Sequence, residues 1–311
     1  MHQGKLPTAQ LAVLGRLLTP KLVLAAIAAA TVFSVCAQAA PQAEISVTTS
    51  LRPMVLPAPG NMPPSTFMKE IQDRGRLVCG VSVDKLMVGY LDPRSNQFQG
   101  FDIEMCQQVV QAIFGDASKV QFVAVTSAMR IPALKEGRVD LVVSTMTINA
   151  DRKKDINFSE VYYEAGQKVL VRSDATATGI GDLSDKKVCA AKGSTSVQNI
   201  TIANPRAQVV ETENYGECLV LFQQSTVDAI STDDVILVGL AAQDPYAKVV
   251  GERFTAEPYG MGIAKKHTDF VRFVNAVMQK IKHDGTWKSV YEKWFGKLGP
   301  APQPPAGTYV E

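Results

Sequence analysis

Between residues 77 and 295, short apolar runs alternate with amphipathic stretches; the alternation breaks after residue 171 and then begins again. Few patterns restrict a chain more, because strand–helix–strand order pairs strands in parallel and lays helices over the sheet. The first cycle predicts strand 77–83, helix 101–114, strand 120–125, short helix 128–136, and strands 139–144 and 168–171. The second predicts strand 187–191, helix 195–203, strand 207–210, helix 215–225, strand 229–231, helix 234–243 and strand 248–250. Strand 260–264 and helices 270–282 and 286–295 close the pattern. Two cycles parted by a restart predict two similar α/β lobes, each a mainly parallel sheet flanked by helices.

The regions outside the alternation have their own character. Lys5, Arg16 and Lys21 precede a charge-free apolar run, 22–35, which has the form of an export signal. The run is shorter than the roughly 20 apolar residues of a permanent span. Ala37-Gln38-Ala39 offers ordinary cleavage, giving a signal of 1–39; Phe33-Ser34-Val35-Cys36 resembles a lipobox, giving a leader of 1–35 with Cys36 lipidated. Val35 is unusual before such a cysteine, and both exits stay open. Residues 40–66 hold Pro41, Pro53, Pro57, Pro59, Pro63 and Pro64 and predict a stiff spacer. The tail 299–311 repeats that composition and reads as loose or clamped.

Either exit leaves Cys79, Cys106, Cys189 and Cys218, an even set that in an exported chain reads as two disulfides. Three pairings are possible. Cys79 lies in a strand and Cys106 in the next helix; Cys189 and Cys218 hold comparable places in the second cycle. The pairing Cys79–Cys106 and Cys189–Cys218 therefore keeps each bridge within a lobe and leaves the lobes free to move. There is no C-x-x-C to form a redox-active pair.

A net charge of +2, with 20% charged and 46% hydrophobic residues, excludes a disordered polyelectrolyte and leaves no basic excess for nucleic acid. The three histidines, His2, His267 and His283, share no ligand spacing, so no metal is expected. No nucleophile elbow and no Walker loop is present, and neither catalysis nor a cofactor is expected.

Open α/β sheets bind ligands beyond the carboxyl ends of their strands. Strand 139–144 runs out into Thr145-Met146-Thr147, with Arg152 five residues further on: hydroxyls, amides and a guanidinium fork suited to a carboxylate, or else an exposed loop with a surface arginine. Gly193-Ser194-Thr195-Ser196 opens a helix, as an anion site or a plain cap. Asp233 follows strand 229–231 and suits an ammonium group. Ser127 and Arg130 bring a further cation. Together these residues describe an α-amino-acid pocket with a spare positive charge.

At this point the sequence resembles the bacterial solute-binding proteins of family 3, the polar-amino-acid receptors of ABC transporters, and within them an actinobacterial glutamate/aspartate/glutamine branch. The segments that carry the likeness are GFDIEM (100–105), 126–171, KKVCAAKGSTS (186–196), 215–239 and EPYGMGIAKK (257–266). The likeness spans about 67–296.

The resemblance implies a two-lobe venus flytrap of the type II periplasmic-binding class, with lobe 1 from 67–171 and 255–311, lobe 2 from 172–254, and a two-strand hinge near 171–172 and 253–258. It implies that Arg152 holds the ligand α-carboxylate with Thr147 and the amides of Ser194 and Thr195. The α-ammonium goes to Asp233 and the Thr145 carbonyl. Ser127 and Arg130 meet a side-chain carboxylate, and Tyr215 stands where some receptors carry a ligand-facing histidine. The chain departs from acidic-residue receptors at Ser82, where some place an arginine; Lys85 is the candidate replacement.

Counting Arg130, Arg152, Lys85 and Asp233 gives a cationic site, and an unpaired charge in a dry cleft is costly. Glutamate or aspartate is the expected ligand on that count. The expected function is a monomeric extracytoplasmic receptor, lipid-anchored or free, that delivers an amino acid to an ABC permease. Two alternatives are an amino-acid sensor for a membrane receptor and a cyclohexadienyl-dehydratase-like enzyme. The residues beyond 296 are too few for a lytic domain.

Overall fold

The computed structural model describes residues 46–311. The expected export signal and Cys36 lie outside the described residues. The chain runs through β1 (Ser50–Leu51), α1 (Phe67–Arg74), β2 (Leu77–Val81), β3 (Asp84–Lys85), β4 (Gly89–Asp92), β5 (Gln97–Gln99) and α2 (Phe101–Phe114). It continues through β6 (Val120–Ala124), α3 (Arg130–Lys135), β7 (Leu141–Val142), α4 (Ala150–Asp155), β8 (Ile156–Ala165) and β9 (Gln167–Arg172). Next come β10 (Lys187–Ala191), α5 (Thr195–Ala203), β11 (Gln208–Thr212), α6 (Tyr215–Gln223), β12 (Ala229–Asp233), α7 (Asp234–Ala241) and β13 (Ala247–Val250). Last are β14 (Glu257–Ala264), α8 (Thr268–His283), α9 (Thr286–Phe295) and β15 (Tyr309–Val310).

Two five-stranded sheets carry the two lobes: β6-β2-β7-β14-β8 and β11-β10-β12-β9-β13. In each, the strands of the strand–helix alternation pair in parallel: β2 with β6 and β7, and β10 with β11 and β12. The strands that carry the chain between sheets run antiparallel: β14 on β7 and β8, and β9 on β12 and β13. Strand β9, expected to close the first lobe, is hydrogen-bonded into the second sheet, with Ala229 opposite Val171. Its apolar run marks a buried strand but carries no information about which sheet receives it. The chain therefore crosses at Gly166 and returns through 251–256. The crossings touch, since a Cβ on Gly166 would lie 2.5 Å from Arg253 Cδ.

Local sequence explains the elements that aim the site. In α2, Phe101, Met105, Val109 and Ile113 recur at helical spacing and are buried, and Gly115 ends the helix in the left-handed region. At Gly100, φ is +130° and a side chain would strike the Val88 carbonyl, so only glycine admits the chain there. Helix α4 starts where the Asn149 side chain accepts from Arg152 N at 2.9 Å.

The proline-rich segment and the tail are not free arms. Strand β1 pairs in parallel with β15, and Asn275 of α8 donates to Ser50 Oγ at 2.8 Å and to the Leu51 carbonyl at 2.7 Å. Ser50 Oγ donates to the Phe158 carbonyl of β8. Half-buried Lys282 and buried Glu160 form an ion pair, which the Tyr309 hydroxyl joins. The spacer reading thus fails from Ser50 onward: main-chain pairing and the buried Asn275 amide hold both segments on the first lobe.

Cys189 and Cys218 form a disulfide between β10 and α6. The expected Cys79–Cys106 bridge is absent; both are buried free cysteines. Burial and the neighbouring Cys106 hold the Cys79 thiol well above its usual range. Such a thiol stays protonated and packs as a small apolar group, so a like position in strand and helix does not secure a bridge.

Candidate functional site

The strand ends of both sheets converge on one enclosed space lined by Ser127, Arg130, Thr145, Thr147 and Arg152 from the first lobe and by Ser194, Thr195, Tyr215 and Asp233 from the second. Nine of the ten residues expected from the sequence thus meet, and Lys85 reaches them from behind: its Nζ donates to Thr145 Oγ1 at 2.6 Å. The enclosed volume is about 10 Å³, no more than one water needs. A space of that size has no room for an amino acid unless the lobes part.

Arg152 bridges the lobes, donating from Nη1 to the Thr147 carbonyl at 2.7 Å and from Nη2 to the Gly193 carbonyl at 3.2 Å. It is buried, and the alternative of an exposed loop with a surface arginine fails, because the α4 turn points that side chain inward. Arg130 donates to the carbonyls of Ser127, Ser144 and Thr145 at 2.9–3.0 Å. The Thr145 carbonyl, expected to meet an ammonium, therefore already serves Arg130. A carbonyl has a second lone pair, so one acceptor position remains. The Ser194 amide donates to the Ala191 carbonyl at 3.1 Å, which removes it from the expected carboxylate clamp. Its hydroxyl is one of four buried side-chain polar atoms without a partner among the described residues. Asp233 Oδ1 is another, while its Oδ2 accepts from the Tyr259 hydroxyl. An unpaired carboxylate oxygen facing a lobe interface is an acceptor suited to a cation.

The electrostatics hold a surprise for the charge count. Glu257 at the start of β14 is buried, and its Oε2 accepts from Thr147 Oγ1 at 2.6 Å and from Thr195 Oγ1 at 2.8 Å. Asn199 Nδ2 donates to its Oε1 at 2.7 Å. Asp102 of α2, also buried, accepts from Thr145 N and the Tyr162 hydroxyl, both at 2.8 Å. The site therefore sets Lys85, Arg130 and Arg152 against Asp102, Asp233 and Glu257. The cationic count is corrected to an even balance.

Burial lowers Lys85 to about 8, with Arg130 adding repulsion, and lowers Arg130 to about 9, with Arg152 adding to it. Burial lifts Asp102 to about 6. Burial and then the Glu257 charge lift Asp233 to about 7. Glu257 and Asp102 escaped the sequence reading because neither stands at the end of a parallel strand; EPYG carried a family likeness but no assigned role. Ser196 and Thr232, whose hydroxyls lie 3.2 Å apart, complete the lining with Ile236; the sequence offered Ser196 only as part of a helix opening and gave Thr232 and Ile236 no role.

Residues 77–297 match the family described as bacterial extracellular solute-binding proteins, family 3. The chain belongs to this family. Relatives include the ABC transporter glutamine-binding protein of Bacillus subtilis (strain 168), 41% identical over 226 residues, which covers 72% of this chain and 83% of the relative. The glutamate-binding protein of Corynebacterium efficiens is 32% identical over 237 residues, covering 72% of this chain and 80% of the relative. Among solved structures, the ancestral amino acid-binding protein AncCDT-1, a precursor of cyclohexadienyl dehydratase, superposes with a TM-score of 0.68 at 34% identity. It covers 74% of this chain and all of its own length. The two-lobe α/β architecture expected from the sequence is that of the family's structures. None of the helices formed by the described residues is long and apolar enough to cross a membrane.

Proposed function

We propose that this chain is the receptor of an ABC importer for an uncharged polar amino acid, glutamine first. The observation that carries this reading is the charge balance: three buried cations face three buried carboxylates, so a ligand of zero net charge leaves no unpaired charge when the lobes shut. The name of the Bacillus subtilis relative agrees with it. In this reading Arg152 and the Thr195 amide hold the ligand carboxylate. Asp233 Oδ1 takes the ammonium, and Ser127, Arg130 and Lys85 face the side chain. Lobe 1 comprises the first sheet with its helices and the strap of 50–66 and 299–311. Lobe 2 comprises 167–254, and the hinge lies at Gly166 and 251–256. The ligand stabilises the shut form through contacts it makes only there.

Glutamate and aspartate are the second reading. Asp102 and Asp233, held up near 6 and 7, could take up a proton and cancel the added charge. Export, a lipid at Cys36 and delivery by a monomer to a permease belong to the same proposal, and a membrane sensor would use an identical pocket. Calorimetry of residues 46–311 with glutamine, asparagine, glutamate and aspartate tests the ligand. Glutamine should bind with a Kd near 1 μM, about −8 kcal/mol. Preference for an acid by tenfold or more replaces the first reading with the second; turnover of prephenate without amino-acid binding overturns both.

A further inference from the structure

Asp84 stands on β3, beside Lys85 but outside the lining of the ligand space. Strands β3, β4 and β5 form a small antiparallel sheet belonging to the first lobe. From there the Asp84 carboxylate reaches across: Oδ2 accepts from Tyr215 N at 2.8 Å and from Gly216 N at 3.1 Å. These are the first two amides of α6, a nine-residue helix of the second lobe. The amides of a first turn have no partner within the helix and carry its positive end, so a carboxylate is the side chain they favour most. Asn214 already accepts from Glu217 N, which leaves the first two amides to Asp84.

The neighbouring packing shows that this approach is built in. A Cβ on Gly216 would meet Asp84 Cβ at 3.7 Å, and one on Gly239 of α7 would meet the Leu86 carbonyl at 2.5 Å. Residues 84–86 therefore dock into α6 and α7 of the opposite lobe.

We propose that Asp84 is a closure latch, a positioning residue that sets affinity without touching the ligand. Its two hydrogen bonds exist only when the lobes are shut and exchange for water when they part. As closure contacts the two hydrogen bonds weight the shut form alone and strengthen every ligand equally, whereas the Asp84 charge also acts on the neighbouring Lys85. The proposal rests on the receptor reading of the cleft and extends it.

The test uses residues 46–311 with nitroxide labels on Gln111→Cys and Gln224→Cys, one on each lobe, in the wild type, Asp84→Ala and Asp84→Asn. Pulsed electron resonance of ligand-free protein should show longer inter-lobe distances in Asp84→Ala. Asp84→Asn should lie between, since its amide oxygen still accepts both hydrogen bonds. The Kd for glutamine should rise about five- to thirtyfold for Asp84→Ala; between Asp84→Asn and Asp84→Ala, which remove the same charge beside Lys85, the Kd for glutamine and the Kd for glutamate should differ by one common factor. Unchanged ligand-free distances overturn the latch. So does a change in the ratio of the two Kd values between Asp84→Asn and Asp84→Ala, which would make the Asp84 hydrogen bonds a specificity device. If no amino acid binds the wild type, the receptor reading fails, and the ligand-free distances still decide the latch.

Discussion

Replacing Glu257 by glutamine removes one of the three buried carboxylates while leaving an oxygen to accept from Thr147 and Thr195. The balanced site then carries one net positive charge. A unit charge roughly 7 Å from a ligand carboxylate, at an effective dielectric constant near 20, contributes about 2 kcal/mol, or about thirtyfold in affinity. Glutamate should feel that change through its side chain, whereas glutamine should not. The ratio of Kd for glutamine to Kd for glutamate should therefore rise about thirtyfold in E257Q. The absolute affinities should fall together, because the new amide cannot reproduce every contact of the carboxylate, including that with Asn199. Taking the ratio cancels the common loss. Isothermal titration of both ligands with wild type and variant measures it, with thermal unfolding confirming that E257Q is folded. A ratio that moves less than threefold, or toward glutamine, refutes the charge reasoning.

Four other outcomes follow from the same geometry. Because burial lifts Asp233 to about 7, the ligand-free protein gains a proton below that pH, and Asp233's contribution to stability is lost as pH rises through it. Ammonium binding needs the carboxylate, so glutamine affinity should fall as pH drops below 7, by up to tenfold per unit. Titrations in buffers of different ionisation heat should register release of about half a proton at pH 7. Arg152→Ala should weaken all amino acids at least about a hundredfold with the fold intact by circular dichroism, because it removes a buried charged donor to both lobes. Gly193 has φ +75°, and a Cβ there would lie 2.7 Å from Ala128 Cα across the cleft; Gly193→Ala should prop the lobes apart and reduce affinity more than tenfold, read by calorimetry. Thiol titration of denatured, unreduced residues 46–311 should count two reactive cysteines; finding none would restore the second bridge.

Much of this fold was legible because the parallel strands are apolar runs. Helices α2, α5 and α9 span the residues their periodicity gives, 101–114, 195–203 and 286–295. The ten-residue β8 was not seen at all. Its sequence INFSEVYYEA mixes charged and apolar residues, since Ser159 and Glu160 are buried on partners distant in the chain, Met261 N and Lys282. The β3–β5 meander escaped for a related reason: its strands are two to four residues long and lack a full period. Sequence could bring Thr147, Arg152, Thr195 and Asp233 to one space, because they follow recognisable strand ends or helix starts. It could not locate Glu257 or Asp102, whose roles arise from packing between elements far apart along the chain. Ligand charge was accordingly the inference most exposed to error.

The parallel pairing of β1 with β15 has a mechanical consequence. An anchor placed ahead of residue 46 would transmit tension into β8 and α8 through Ser50 and Asn275, on the first lobe alone. A second lobe that swung from that grip would not drag such a mooring. Deleting residues 299–311 would strip one side of the grip and could pay out residues 50–66, roughly 50 Å of extended chain, lengthening the leash.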